Sequence, residues 1–288
     1  MGSLISYLSK RKIFTVILAG IYLSFVVFYH RKVSNIFDWL RDVFSFKVYN
    51  DVIFDINLMI MLIFSCFVFI KVIKGERKVK MTVFWGYNLM LVLLSYKVLI
   101  TVNIETIHYI QYAILTLPVF ALVLRYWETV LWVTLLGALD EAYQYFVLYR
   151  DNNEVYLDFN DIILNLIGAG LGVVLIYTLM HEKFKTSSDM KAGTRSWYRS
   201  PVLAITMVLL LTGLFLYSAG FLRSYPGEDA KGALIVLSRK PASKEFWTIP
   251  QKSKPYHAVS PLEGMITLAF LAASYSLMDK RSSKGNNH

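Results

Sequence analysis

The sequence predicts an all-α fold, a polytopic transmembrane helical bundle of about eight spans with both termini on the inner side (N-in and C-in). Three observations carry that expectation. The apolar excess is gathered into long runs, basic residues sit at the edges of those runs, and polar side chains recur at helical offsets inside three of them. Of 288 residues, 56% are hydrophobic and only 17% charged, against about 45–50% and about 25% in a soluble domain. The mean hydropathy is +0.48.

Crossing a hydrocarbon layer of roughly 30 Å takes about 20 apolar residues in a helix. Eight runs have that length, at 13–29, 52–71, 81–102, 106–124, 129–148, 159–180, 201–221 and 261–278. The first follows a basic start, as in a signal peptide. No small-residue cleavage site precedes Tyr29-His30-Arg31, so it reads as a retained span. Next, "VSNIFDWLRDVFSFKVYND" (33–51) is shorter and amphipathic, with Trp39 and Phe44 among charges; it predicts a helix lying along the interface. The stretch 222–260 is the sizeable extramembrane loop. There "GALIVLSRK" and "EFWTIPQ" are expected to pair as a hairpin through "PASK". Ser260 and Glu263, with Pro261 between them, match a capping box at the start of the last span. The chain divides into N-terminal spans (1–79), a helical core (80–182) and a C-terminal pair of spans with their loop (183–288).

Orientation follows from Lys and Arg. With the N-terminus inside, 17 of the 30 basic residues lie in inner connections and 13 in outer ones, seven of these within 222–260 alone. Short loops thus favour N-in and C-in. A net charge of +10 would suit nucleic acid, but the placement of the charges at span edges argues for a lipid bilayer as partner and against nucleic acid. The single cysteine, Cys66, excludes an internal disulfide and a cysteine-based metal site. His30, His181, His257 and His288 fall at span ends or in loops and read as solvated.

Three successive spans carry polar residues that an ordinary span avoids. Span four has Glu105, His108 and Tyr112, span five Asp140, Glu141 and Gln144, and span six Asp158, Asp161 and Asn165. At 100° per residue, offsets of three and seven keep Glu105, His108 and Tyr112 on one helical face, and likewise Asp158, Asp161 and Asn165. Glu141 and Gln144 share a face through their offset of three. Gly168 and Gly172 continue the span-six face, and a Gly-x-x-x-Gly face admits a close neighbour. The acids are therefore expected to point into the bundle near the outer boundary. Buried like charges are costly. Either some carboxyls stay protonated, or a cation or basic group completes the site.

These residues resemble the VanZ-like membrane family, across "ETIHYIQYAILTL" (105–117), "GALDEAYQYFVLYR" (137–150) and "LDFNDIILNLIGAGLG" (157–172). The resemblance rests on Glu105, His108, Tyr112, Glu141, Gln144, Arg150, Asp158, Asp161, Asn165 and Gly168, and covers roughly residues 80–180. The insert "DNNEVYL" after Arg150 departs from the family pattern. The resemblance implies a multi-pass protein of the bacterial cell membrane and cell envelope. The family's namesake is associated with resistance to a glycopeptide antibiotic, so an effect on glycopeptide susceptibility is one expectation.

Two classes of function remain open from the residues. One is an enzyme acting on a lipid-linked or cell-wall component, with Glu105, His108 and Glu141 catalytic in acid–base work. Tyr112, Gln144, Arg150 and Asn165 would bind substrate, and Asp158 and Asp161 would hold a divalent cation or a polar headgroup. The other is a non-catalytic membrane scaffold or antibiotic-access modifier, whose cluster serves structure or recognition. A transporter is disfavoured, because the three spans become apolar toward the inner side.

Overall fold

The computed structural model describes residues 1–74, 78–152, 155–180, 199–227, 232–240, 246–249 and 254–279. Within them the chain is a helical bundle. Its helices are α1 (Gly2–Lys10), α2 (Lys12–Phe44), α3 (Phe46–Lys74), α4 (Lys78–Val98), α5 (Ile107–Val123), α6 (Tyr126–Tyr143), α7 (Phe159–Met180), α8 (Pro201–Ser218) and α9 (Pro261–Asp279). A 3-10 turn, Asn103–Thr106, leads into α5, and a π-helical turn, Gln144–Leu148, continues α6. Seven helical segments are long and apolar enough to cross a membrane. The run predicted as span five is not one of them, because α6 carries Glu128, Asp140 and Glu141. It nonetheless packs between α5, α7 and α9.

α7 is the axis. In its most apolar window 83% of residues are buried, against 6% for α2, α3 and α8. Its contact with α5 is made by glycine. A methyl group added at Gly168 would stand 2.8 Å from the Tyr109 carbonyl oxygen, and one at Gly172 2.8 Å from that of Ala113. The two backbones therefore touch where the expected small-residue face lies.

One end of the bundle is closed by α1, whose Ile5 and Leu8 pack on Phe120, Ala121, Ile176 and Met180. The end of α9 reaches the same place. Asp279 accepts the N–H groups of Tyr126 (3.2 Å) and Trp127 (3.0 Å), so its carboxylate meets the positive end of the α6 dipole. Lys80 donates to the Met278 carbonyl at 2.8 Å. Both termini of the described chain thus lie at one end of the bundle, opposite the ends of α5, α6 and α7 that carry the acids.

Two expectations are corrected. The segment 33–51 is not a separate interfacial helix. Residues 33–44 prolong α2, and 46–51 begin α3 after Ser45, whose φ of 64° makes the turn. Nothing between Tyr29 and Phe44 breaks a helix, since Gly and Pro are absent there. The 33-residue α2 is thus about 50 Å long at 1.5 Å per residue. Nor does the hairpin through "PASK" form among the described residues; residues 241–244 lie outside them. β2 (Ile235–Val236) pairs in parallel with β1 (Leu222–Arg223), the strand leaving α8, while Thr248 bridges Tyr256 instead. The capping box is present as expected. Ser260 N–H donates to Glu263 Oε2 at 2.8 Å, and Glu263 N–H to Ser260 Oγ at 3.4 Å.

Gly168→Ala should lower thermal stability in detergent by about 1–3 kcal/mol, the usual cost of forcing volume into a packed interface. Gly86→Ala and Gly213→Ala, where an added Cβ meets nothing within 4 Å, should leave the melting temperature unchanged or higher.

Candidate functional site

The close α5–α7 approach places His108 directly across from Asn165 and Asp161. His108 Nδ1 donates to Asn165 Oδ1 (2.8 Å), and its Nε2 stands 3.6 Å from Asp161 Oδ2. From α6, Glu141 completes a triangle: one donor atom each from His108, Glu141 and Asp161 lies within 4.8 Å of the other two. Gln144 donates to Glu141 Oε1 at 3.3 Å. It does so from the π-helical turn, where Tyr149 N–H reaches Gln144 O at 2.9 Å, five residues back. Such turns re-aim side chains and recur at functional sites. Tyr112 donates to Asp140 Oδ2 at 3.0 Å, one residue before Glu141. The remaining Asp140 oxygen and Asn165 Nδ2 are buried and have no hydrogen-bond partner.

His108, Asp161 and Gln144 of the cluster reach the floor of a cleft of about 250 Å³ between α2 and α5, whereas Glu141 is not among the residues that line it. Glu105, His108, Gln111, Gln144 and Asp161 line its polar side, and α2 supplies Phe25, Val26, His30, Ser34, Phe37 and Arg41 opposite. From Val26 onward the α2 residues fall at successive offsets of three or four, one stripe of the helix that Phe25 flanks. Arg41 is paired with Asp38 at 3.0 Å. Above the cluster, Lys254 donates to the Tyr96 carbonyl at 2.5 Å and lies 3.7 Å from the Tyr96 ring. Burial holds its ammonium below the usual lysine range, partly offset by the nearby Glu105 carboxylate.

The structure brings together most of the residues singled out in the sequence, with changed roles for some. His108, Glu141, Asp161, Asn165, Gln144 and Tyr112 converge. Glu105 faces the same cleft, but its Oε2 accepts the Thr101 N–H at 2.6 Å, so one oxygen is committed to the backbone. Asp158 does not stand with Asp161 as a cation ligand. It caps α7, its Oδ1 accepting the N–H groups of Asn160 (2.9 Å) and Asp161 (3.3 Å), as expected of an N-cap acid. Burial, reinforced by the Asp161 carboxyl, pushes Asp158 up to about 7. Arg150 is exposed in the turn after α6 and does not line the cleft; the guanidinium that does is Arg41.

Three residues escaped the sequence reading. His30, expected to be solvated, lines the cleft because α2 continues past it. Arg239 secures the end of the π-helical turn by donating to the carbonyls of Tyr145 (2.9 Å), Tyr149 (2.6 Å) and Asn152 (2.9 Å). Asn160 is buried with its amide fully used. It donates to the Leu99 carbonyl (2.9 Å) and the His257 carbonyl (2.8 Å) and accepts the Val259 N–H (2.9 Å). One side chain thereby ties α4, α7 and the segment before α9 together above the cluster. A third polar residue in "LDFNDIILN" was the available signal, but its angle puts it off the shared face.

Asn160→Leu should strip those three backbone groups of their partner, at about 1–3 kcal/mol for each group left unpaired. The expected readouts are a lower melting temperature and faster proteolysis within 246–260, with α-helical circular dichroism retained.

The chain matches no family model, no curated protein and no solved structure, so the reading of the cleft rests on its own geometry.

Proposed function

We propose that the chain is an integral membrane protein of the cell envelope whose α5–α6–α7 cluster binds, and acts on, the polar group of a lipid-linked or cell-wall component at the outer leaflet. The observation that carries this reading is the composition of the cleft. Its floor holds an imidazole among carboxyls, its far wall offers Arg41 and His30, and apolar Phe25, Val26 and Phe37 adjoin them. That combination suits a ligand with an anionic head and an apolar body, since a few convergent polar groups in an apolar cleft fix orientation.

The topology proposed with it has eight crossings, counting α6, with both termini inside. Support comes from the basic residues of the inner connections and from the meeting of α1 and the end of α9 at one end of the bundle. The cluster occupies the other end. His108 is placed to move a proton, because Asn165 orients its ring and Nε2 faces the cleft. Glu141 is the partner acid or base. Arg41, released from Asp38, would meet a phosphate or carboxylate in a bidentate contact. The resemblance to the VanZ-like family points the same way, and a changed glycopeptide susceptibility on deletion is part of the proposal.

The test uses full-length protein in nanodiscs containing anionic envelope lipids and lipid-linked phosphate precursors. Native mass spectrometry should show a retained lipid. Arg41→Gln should weaken that retention about 10–100-fold, the loss of a hydrogen bond to a charged group. Glu141→Gln should abolish turnover while leaving the lipid bound. Binding without turnover in the unaltered protein would assign the cleft to recognition alone. Failure to retain any lipid, with Arg41→Gln indistinguishable from the parent, would end the proposal.

A further inference from the structure

We infer that His108, Glu141 and Asp161 form a binding site for one divalent first-row cation, whose remaining coordination positions open into the cleft. The assignment differs from the one expected from sequence, since Asp158 is spent on capping α7.

Four observations carry it. First, the donor atoms come from three helices, α5, α6 and α7, and lie within 4.8 Å of one another. Ligands on opposite sides of a cation at about 2.1–2.4 Å stand about 4.2–4.8 Å apart, so one ion reaches all three with little movement. Second, the His108–Asn165 contact of 2.8 Å sets the ring. With Asn165 accepting through Oδ1, His108 carries its proton on Nδ1 and presents a bare lone pair at Nε2. This is how an outer hydrogen bond fixes a ligating histidine. Third, that lone pair faces Asp161 Oδ2 at 3.6 Å. A charge-assisted hydrogen bond would close to about 2.7–2.9 Å, so the gap matches donors arranged around a common centre better than a direct pair. Fourth, the positive charge is missing. Arg41 is the one Lys or Arg among the described residues lining the cleft, and Asp38 engages it at 3.0 Å. Behind the triangle, Asn165 Nδ2 and Asp140 Oδ1 are buried without partners. They are positioned to take up the outer bonds that a loaded site needs.

One nitrogen and two carboxylates favour Mn²⁺ or Zn²⁺ over Mg²⁺, because imidazole suits the former and hard oxygen donors suit Mn²⁺. Three protein ligands with open positions are the pattern of a reactive site and not of a closed structural one. With an ion bound, His108 and Glu141 would serve as ligands and the acid–base work proposed above would pass to Glu105, which lines the same cleft. What the ion would act on rests on the cleft being the ligand site proposed above; the ion site itself does not.

The experiment is metal titration of the full chain in nanodiscs after chelator treatment, with MnCl₂ and ZnCl₂ as probes and MgCl₂ for comparison. One ion per chain is expected, bound at least 10-fold more tightly than Mg²⁺. Pulsed electron paramagnetic resonance of the Mn²⁺ form should show coupling to a single imidazole nitrogen, lost in His108→Ala. Glu141→Gln and Asp161→Asn, which preserve shape, should each weaken binding by 10-fold or more, and Asn165→Leu by about 10–100-fold. Arg150→Gln should bind as the parent does. Absence of a stoichiometric ion overturns the inference, as does binding that survives Glu141→Gln and Asp161→Asn unchanged. If no ion binds and the chelated protein still retains its lipid, the cleft reading stands and the ion site falls. If the ion binds and no lipid is retained, the reverse holds.

Discussion

The distance between α5 and α7 governs the rest of the molecule. Gly168 faces the Tyr109 backbone, and Gly172 faces the Ala113 carbonyl and the Thr116 side chain, so the lack of a Cβ at both positions sets the spacing. That leaves the polar face of α7 within hydrogen-bond reach of α5, so His108 and Asn165 meet at 2.8 Å. Had either glycine been larger, the helices would stand further apart and the pair would lose contact. The cluster depends on this for the orientation of the imidazole and for the position of Asp161 beside it.

A bundle of this kind must account for each polar atom it hides, because lipid offers no replacement partner. Most of the accounting is local. Thr116, Thr129, Thr134 and Thr178 each donate to the carbonyl one turn back. Longer connections bind separate helices: Tyr275 donates to Asn88 at 2.7 Å, and Tyr109 and Ser95 share a bond of 2.7 Å. Beside His108 two buried atoms, Asp140 Oδ1 and Asn165 Nδ2, stay unpartnered within one cluster.

The parts of the fold legible in the sequence are those where one element decided its own limits. α7 runs over the predicted residues because Asp158 caps it and a continuous apolar run follows. The last span begins at Pro261 because Ser260 and Glu263 bond reciprocally. The shared face of Asp161, Asn165 and Gly168 was readable from offsets alone. What escaped needed knowledge of a neighbour. Hydropathy falls at Tyr29, yet the helix does not stop there, and only the continuation brings His30 and Arg41 over the cleft. Arg150 was drawn to the cluster by its outer-loop position and by the family resemblance, but it follows the π-helical turn, is exposed and does not line the cleft. Asp158 and Asp161 look equivalent as letters; the helix start makes one a cap and the other a cleft residue.

The overlong α2 has a consequence for traffic. Its cleft-lining residues Phe25 and Tyr29 are 55% and 45% exposed and stacked on each other with ring centroids 4.8 Å apart, so this wall stands at the rim and outside the packed interior. In a bilayer such a rim is a lateral doorway. On the function proposed above, a ligand with an apolar tail would enter sideways, its charged end toward His108 and its tail among the surrounding lipids.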